Sequence, residues 1–242
     1  MPGVNCSGTL YLIPTSLGDG DLGWILPAEV RQLIFSLDTF VVEHPKTARQ
    51  FLKQVGTQKP LQELTLLTLD EHTQPDELSA LLAPLLLGKN IGLMSEAGCP
   101  AVADPGANLV RLAHAKGVRV APLVGPSSIL LALMGSGLNG QSFAFHGYIP
   151  AEKEARIKAI KLLEKESREK NQTQVFIETP YRNLPLFQDM VATCNEKTWL
   201  CVASDLTSAT EHIETKPIAD WRKATPDINK KPTIFLLYAG SA

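Results

Sequence analysis

The chain has 242 residues, 44% of them hydrophobic and 20% charged, with 23 Lys and Arg against 25 Asp and Glu and a net charge of −2. A chain of this size buries about 70% of its unfolded surface and forms one large domain or two smaller ones. With 17 glycines and 17 prolines it sits near the globular average, which excludes disordered and collagen-like classes. The charge balance is not that of a domain whose main work is gripping nucleic acid; a local basic patch is compatible with it, so RNA and DNA substrates are weakened and not excluded. Four cysteines, Cys6, Cys99, Cys194 and Cys201, are too sparse for a disulfide framework. No CxxC occurs and the histidines form no ligand spacing, so no metal is expected. The N-terminal run MPGVNCSGTLYLI lacks the basic region and clean apolar region of a signal peptide. The longest apolar stretch, Val118 to Leu138, is cut by Pro122, Gly125, Pro126, Gly135 and Gly137, whereas a membrane helix needs about 20 unbroken apolar residues. The expectation is a soluble, cytoplasmic protein with no membrane contact.

Strand patterns alternate with helical ones through the first half. Thr9–Ile13 reads as a strand ending at Pro14. A helix follows from Pro27, since proline suits the first helical position, and Val30, Leu33, Ile34 and Leu37 fall on one face. Thr39–Glu43 is the next strand and Ala48–Val55 the next helix. Leu64–Leu69 reads as a strand, Asp76–Leu87 as a helix despite Pro84, and Asn90–Ser95 as a strand. Ala107–Lys116 is a helix, Val118–Leu123 a strand, and Ser128–Met134 opens another helix. Such alternation implies a mostly parallel sheet with helices on its faces. After Leu138 the texture changes. Phe143–Ile149 precedes a long charged helix, Ala151–Lys170, which reads as a solvated face with i,i+4 pairs. Three further strands, Gln174–Glu178, Thr198–Ala203 and Thr233–Tyr238, follow, with a helix over Leu184–Cys194. The expected fold is therefore two α/β domains, residues 1–145 and 146–242.

Functional residues of open parallel sheets gather beyond the carboxyl ends of the strands. After the first strand, Gly18, Gly20 and Gly23 match GxGxxG, and Glu43 closes a strand twenty residues later. A dinucleotide fingerprint needs its first glycine at the strand end and its third inside a helix facing the pyrophosphate. Here Pro14–Leu17 intervene and the helix waits for Pro27, so a surface loop is the better reading. No P-loop pattern occurs. The fourth strand runs into Ser95–Gly106, an unusual connection with two prolines, two glycines and two carboxylates. It is either an ordinary loop in which Asp104 and Pro105 start a helix, or a backbone shelf for a polar small molecule. Gly125-Pro126-Ser127-Ser128 follows the fifth strand, and two such turns at one sheet edge let a ligand approach two backbones.

Six segments in order resemble the tetrapyrrole methylase superfamily of S-adenosylmethionine-dependent methyltransferases. They are Leu10–Asp19, Ser95–Gly106, Gly125–Ser128 with Ser136-Gly137-Leu138, Phe143–Pro150, Glu178-Thr179-Pro180-Tyr181-Arg182 and Pro232–Leu236. The nearest branch is similar to the bacterial enzymes that 2′-O-methylate a ribose of a cytidine in small-subunit ribosomal RNA. The resemblance implies two α/β domains, S-adenosylmethionine as cofactor in the cleft between them, a homodimer, and ribosomal RNA or the small ribosomal subunit as partner. It puts the methionine end on the backbone of Ser95, Glu96, Ala97, Gly98 and Cys99 and on Ser127 and Ser128. It puts the adenosine end near Ile177, Glu178, Ala203, Pro232 and Thr233. The chain departs from the branch at Glu43-His44-Pro45-Lys46, where the pattern is Glu-Asp-Thr-Arg, and at Ser204-Asp205-Leu206-Thr207-Ser208, where it is Arg-Glu-Leu-Thr-Lys. Glu96 replaces Asp and Cys99 replaces Thr, and the extension beyond the last strand is expected to be absent. A ribose hydroxyl is a poor nucleophile unless its proton is removed as the bond forms. The candidate bases are Asp19, Glu43, His72 and Glu96, with Glu43 first because it keeps the acid of the branch pattern. A small heterocyclic acceptor of the tetrapyrrole kind, or a non-catalytic cofactor-binding module, are the alternatives.

Overall fold

A computed structural model of the chain describes residues 7–70 and 72–240, the side chain of residue 75 excepted. Cys6 and the first part of the N-terminal run weighed above for a signal sequence, residues 1–6, lie outside them. The chain divides into two compact units, Met1–Ser127 and Ser128–Ala242.

The first unit carries β1 (Thr9–Ile13), α1 (Leu22–Ile25), α2 (Ala28–Ser36), β2 (Thr39–Val42), α3 (Pro45–Val55), β3 (Thr65–Thr68), α4 (Pro75–Leu86), β4 (Ile91–Met94), α5 (Gly106–Ala115) and β5 (Arg119–Pro122). Its five strands pair in the order β3-β2-β4-β1-β5, every pairing parallel. Side chains alternate across a strand, and here both faces are covered. Ile13, Phe40, Val42 and Met94 join Val30 and Ile34 of α2 and Phe51 and Leu52 of α3 in one core. Leu10, Val41, Ile91 and Leu93 join Leu82 and Leu85 of α4 and Leu109 and Ala113 of α5 in another. Burial on both sides is why these strands read as nearly unbroken apolar runs.

The second unit opens with α6 (Ser128–Ser136) and continues through β6 (Phe143–Tyr148), α7 (Lys153–Lys170), β7 (Thr173–Ile177), α8 (Asn183–Thr193), β8 (Trp199–Ser204), β9 (His212–Pro217), α9 (Ile218–Trp221) and β10 (Thr233–Tyr238). Its sheet runs β6-β7-β10-β8-β9. Only β6 and β7 pair in parallel; β10 is antiparallel to β7 and β8, and β8 to β9. Phe176, Val202 and Phe235 pack with Ile160 and Leu163 of α7, Phe187 and Met190 of α8 and Trp221 of α9. Helix α6 packs against β8, β9 and β10, with Ser136 O accepting from Thr215 Oγ1 at 2.9 Å.

The compact units divide between Ser127 and Ser128, ahead of the 145/146 boundary expected from sequence texture, because α6 lies on the second sheet. Helix α3 starts at Pro45, in the first helical turn, rather than at Ala48. Strand β9, HIETKP, was not anticipated: it sits at the edge of its sheet, where polar residues and proline are tolerated. Nor is α7 wholly a solvated face. It has the expected pairs Lys165–Glu169 and Lys170–Glu166, but Arg156 is buried. Its Nε and Nη2 donate to Asp189 Oδ2 at 2.8 and 2.6 Å and its Nη1 to Ala151 O at 2.7 Å. Removing one partner of a buried pair leaves the other charge uncompensated. Arg156→Ala is expected to lower stability by about 3 kcal/mol, read as a lower urea midpoint at unchanged slope.

Candidate functional site

Strands β1 and β4 are neighbours, yet β1 is followed by a crossover toward β2 and β4 by a crossover toward β5, on opposite sides. Their carboxyl ends therefore form a topological switch point, where open α/β sheets place their ligands. A groove of about 220 Å³ lies there, lined by Thr15–Asp19 after β1, by Thr47, Ala48, Gln50, Phe51 and Gln54 of α3, and by Ser95–Ala97 after β4. Asp19 and Glu96 supply carboxylates, Gln50 and Gln54 amides, and Leu17 and Phe51 apolar surface; no lysine or arginine takes part. Thr47 Oγ1 donates to Glu96 Oε1 at 3.3 Å, tying the loop after β4 to the first turn of α3.

The loop Ser95–Gly106 is held from several sides. Thr15 N donates to Gly98 O at 2.9 Å and Gly98 N to Thr15 O at 3.2 Å, an antiparallel bridge across the ends of two parallel strands. Gly98 has φ +74°, a left-handed conformation that a glycine adopts without penalty, and a Cβ there would meet Leu17 Cδ2 at 3.2 Å. On the other side of the same turn, a Cβ on Gly125 would lie 2.5 Å from Pro14 Cβ, so the chain after β5 approaches that turn closely. Cys99 Sγ donates to Pro126 O at 3.4 Å; burial pushes its thiol up, against a hydrogen bond with Ser127 that lowers it. Asp104 closes the loop. Its carboxylate accepts from Ala101 N at 2.9 and 3.0 Å and from Gly106 N at 2.7 Å, and Ala101 and Ala103 adopt positive φ around it. Burial pushes the Asp104 carboxyl above its ordinary 3.8, only partly offset by these amides.

The GxGxxG match takes no part in phosphate binding geometry. Helix α1 has one turn, and its N-terminus is capped by Asp21, whose carboxylate accepts from Gly23 N at 2.8 Å. An acid already occupies the place a pyrophosphate needs.

In the second unit, Ile177, Glu178, Ala203, Pro232 and Thr233 come together at one edge of the sheet. Ile234 pairs with both Ile177 and Ala203, and Thr233 with Ser204, so the ends of β7 and β8 flank the start of β10. Pro232 O accepts from Asp205 N at 3.0 Å. The Glu178 side chain is fully buried. Its Oε1 accepts from Thr179 N at 2.6 Å and from Arg182 Nε and Nη2 at 2.9 and 2.6 Å. Its Oε2 is buried with no partner, as are Ser204 Oγ and Asn183 Oδ1. Buried polar atoms are normally bonded, so the unmatched Glu178 Oε2 and Ser204 Oγ stand out at these strand ends.

Glu43 follows directly on β2 and is half buried, outside the residues lining the groove. His72 lies after edge strand β3, in a turn where its N–H donates to Asp70 at 2.9 Å, also away from the groove. Asp19 and Glu96 do line it. Ser95–Cys99 and Ser127 belong to one hydrogen-bonded cluster, while Ser128 opens α6 in the second unit. Sequence reasoning missed Thr15, Thr47, Gln50 and Gln54; the last three come beside Glu96 only through the strand order β2-β4-β1. Among the described residues no cluster of His, Cys, Asp or Glu is suited to hold a metal ion, and no helix is long and apolar enough to cross a membrane.

Because the folded state holds the Asp104 proton more tightly than the unfolded chain, this group's contribution to stability falls as pH rises above 3.8 through the raised value. Asp104→Asn keeps an acceptor for both amides and is expected to flatten that part of the stability–pH curve. Asp104→Ala leaves the amides unmatched and is expected to cost about 1–3 kcal/mol at neutral pH; urea unfolding across the acid range measures both.

No family model matches the chain. Among curated proteins it is 30% identical over 237 residues to "Ribosomal RNA small subunit methyltransferase I" of Escherichia coli O157:H7, covering 96% of this chain and 78% of the relative. It is 32% identical over 240 residues to the protein of the same name from Vibrio cholerae, covering 98% and 78%. Among solved structures the methyltransferase CobJ superposes with a TM-score of 0.61 at 20% identity, covering 96% and 94% of the two chains. The cobalt precorrin-4 methyltransferase CbiF does so with 0.60 at 15%, covering 95% and 94%. The parallel five-stranded sheet followed by a mixed one is thus the tetrapyrrole methylase fold, and with identity of this level over nearly its whole length the chain belongs to the family of the ribosomal RNA small subunit methyltransferases I.

Proposed function

We propose that this protein transfers a methyl group from S-adenosylmethionine to the 2′-oxygen of a ribose in small-subunit ribosomal RNA, acting in the cytoplasm as a homodimer. The observation that carries the reading is the groove at the β1/β4 switch point, walled by the Ser95–Ala97 loop and bearing carboxylates but no cation. Such a wall suits a positively charged cofactor. S-adenosylmethionine, when bound, supplies a methyl group activated on a sulfonium. The backbone of Ser95–Cys99, with Ser127 and Ser128, is assigned its methionine end. Ile177, Glu178, Ala203, Pro232 and Thr233 are assigned the adenosine end, where the buried Oε2 of Glu178 has no partner. The exposed Leu130 and Met134 of α6 support an assembly that covers them.

The bound cofactor would supply the methyl group, and the proton of the attacking 2′-hydroxyl would pass to a carboxylate of this chain. Glu43 is assigned that role as general base; the remaining work is alignment of the reacting atoms. A second reading, transfer to a small heterocyclic acceptor, is favoured by the modest volume and acid lining of the groove. A calorimetric titration with S-adenosylmethionine, with NAD as control, followed by radiolabelled transfer to small ribosomal subunits tests the first reading. Binding of the sulfonium cofactor alone is expected. Glu43→Gln is expected to keep that binding and lose about 10²–10⁴-fold in transfer rate. Absence of cofactor binding by the folded protein overturns the methyltransferase reading, and label entering only small molecules of a cell extract selects the second.

A further inference from the structure

The second unit holds a cavity of about 440 Å³ between α8 and the end of α9, lined among others by Phe187, Val191, Ala192, Trp221, Arg222 and Lys223. That volume lies in the range of sites for small organic molecules, about 300–1,000 Å³. The cavity is remote from the strand ends assigned to adenosine. Ile218 N donates to Thr198 O at 2.9 Å, so α9 starts beside the beginning of β8, whereas Ser204 at the other end of β8 pairs with Thr233. Extended chain from Thr198 to Ser204 covers about 20 Å.

The base of the cavity is apolar. Phe187 and Trp221 are buried and meet edge to face with ring centroids 5.4 Å apart. Trp221 Nε1 already donates to Leu200 O at 2.9 Å, so the indole offers a ligand carbon surface and no donor. The rim is cationic. Lys223 is paired with Asp220 at 3.1 Å, but Arg222 is exposed and makes one long bond, from Nε to Val191 O at 3.5 Å. That bond serves a carbonyl in the last turn of α8, the negative pole of the helix, and leaves both Nη groups without a partner among the described residues. Lys216 Nζ lies 4.8 Å from the centroid of the Trp221 ring and adds positive charge beside the base. Among the described residues lining the cavity none is Asp or Glu. The switch-point groove has the opposite character, with two carboxylates and no cation, so the two places select ligands of opposite charge.

We propose that this cavity is a second ligand site, taking a small anion with an apolar body, either a carboxylate or a phosphate ester. The anionic group sits on the Arg222 guanidinium, whose planar fork gives two bonds to either anion, and the body rests against Phe187, Val191 and Trp221. A cation is repelled there, and a neutral molecule of the same shape gains only the apolar base. The site does not depend on the methyl-transfer reading and does not compete with a cofactor bound elsewhere.

The test titrates the full chain, labelled with nitrogen-15, with 2-naphthoate, 2-naphthyl phosphate and the neutral 2-naphthalenemethanol. It follows the indole N–H signal of Trp221, which Trp24→Phe and Trp199→Phe distinguish from the other two tryptophans. At least one anion is expected to shift that signal saturably, with the alcohol about tenfold weaker, the low end for a hydrogen bond to a charged group. The tighter of the two anions tells whether the site is made for carboxylates or for phosphate esters. Arg222→Gln is expected to bring anion and alcohol to equal affinity, and Ala192→Phe, at an exposed position on α8, to block all three; thermal unfolding confirms that each variant is folded. Saturating S-adenosylmethionine is expected to leave the titration unchanged. No saturable shift with either anion, equal binding of the alcohol, unchanged affinities in both variants, or displacement by S-adenosylmethionine overturns the proposal. Methyl transfer to small ribosomal subunits is read separately, so failure of the second site and failure of the methyltransferase reading are told apart.

Discussion

The antiparallel bridge between Thr15 and Gly98 is the constraint on which the functional edge of the first sheet depends. Parallel neighbours such as β1 and β4 end side by side with no hairpin to join them, and their outgoing loops leave in opposite directions. Two backbone hydrogen bonds, each of net value about 1 kcal/mol, turn these separate loops into one surface. The geometry demands a left-handed residue at Gly98 and a close approach of Gly125 to Pro14, so the turn after β1 is pinned from both sides. Asp104 then holds the far end of the β4 loop by the amides of Ala101 and Gly106. A wall fixed by backbone bonds presents its groups in one arrangement, which a binding site needs.

The edge of the second sheet meets the same need by burying a charge. Glu178 concentrates its donors on one oxygen and leaves the other unmatched. Deep in a core such a group is costly; here the Arg182 guanidinium, itself partly exposed, offsets the charge while the turn Glu178–Arg182 starts α8. Local unmet bonding of this kind gathers at functional positions. The nearby Asp205, which takes bonds from Thr210 and lies 3.9 Å from Lys231, shows the contrasting case of an acid whose partners all come from its own rim.

The strands of the first sheet were legible because both faces are covered, so TLYLI, TFVV and IGLM announce themselves as apolar runs. The loop Ser95–Gly106 stood out for its glycines, prolines and acids, and the resemblance carried its residues into one cluster. Other features have no local signature. Strand β9 alternates polar residues at a sheet edge and looks like loop. Helix α6 is apolar and follows four βα repeats and a fifth strand, yet it lies on the second sheet; periodicity reports that a face is buried and not against what. The groove residues of α3 escaped because Thr47, Gln50 and Gln54 become neighbours of Glu96 only through the strand order β2-β4-β1. Glu43 was singled out by pattern, and its place just beyond β2 is set by that same order, outside the groove wall.

The loss of basic residues relative to the branch pattern bears on how a polyanion would be held. At Ser204–Ser208 the chain puts a hydrogen-bonded network of Asp205, Thr207, Thr210 and Glu211 where the pattern has arginine and lysine, and Lys231 in the same rim is turned toward Asp227 and Asp205. In nucleic-acid complexes phosphate contacts position the ligand and base contacts specify it. A chain with net charge −2 and a cation-free groove has moved away from the first kind of contact. Under the proposed reading, discrimination then falls on the second, and the acids that the loops joined by the Thr15–Gly98 bridge carry to the switch point are Asp19 and Glu96.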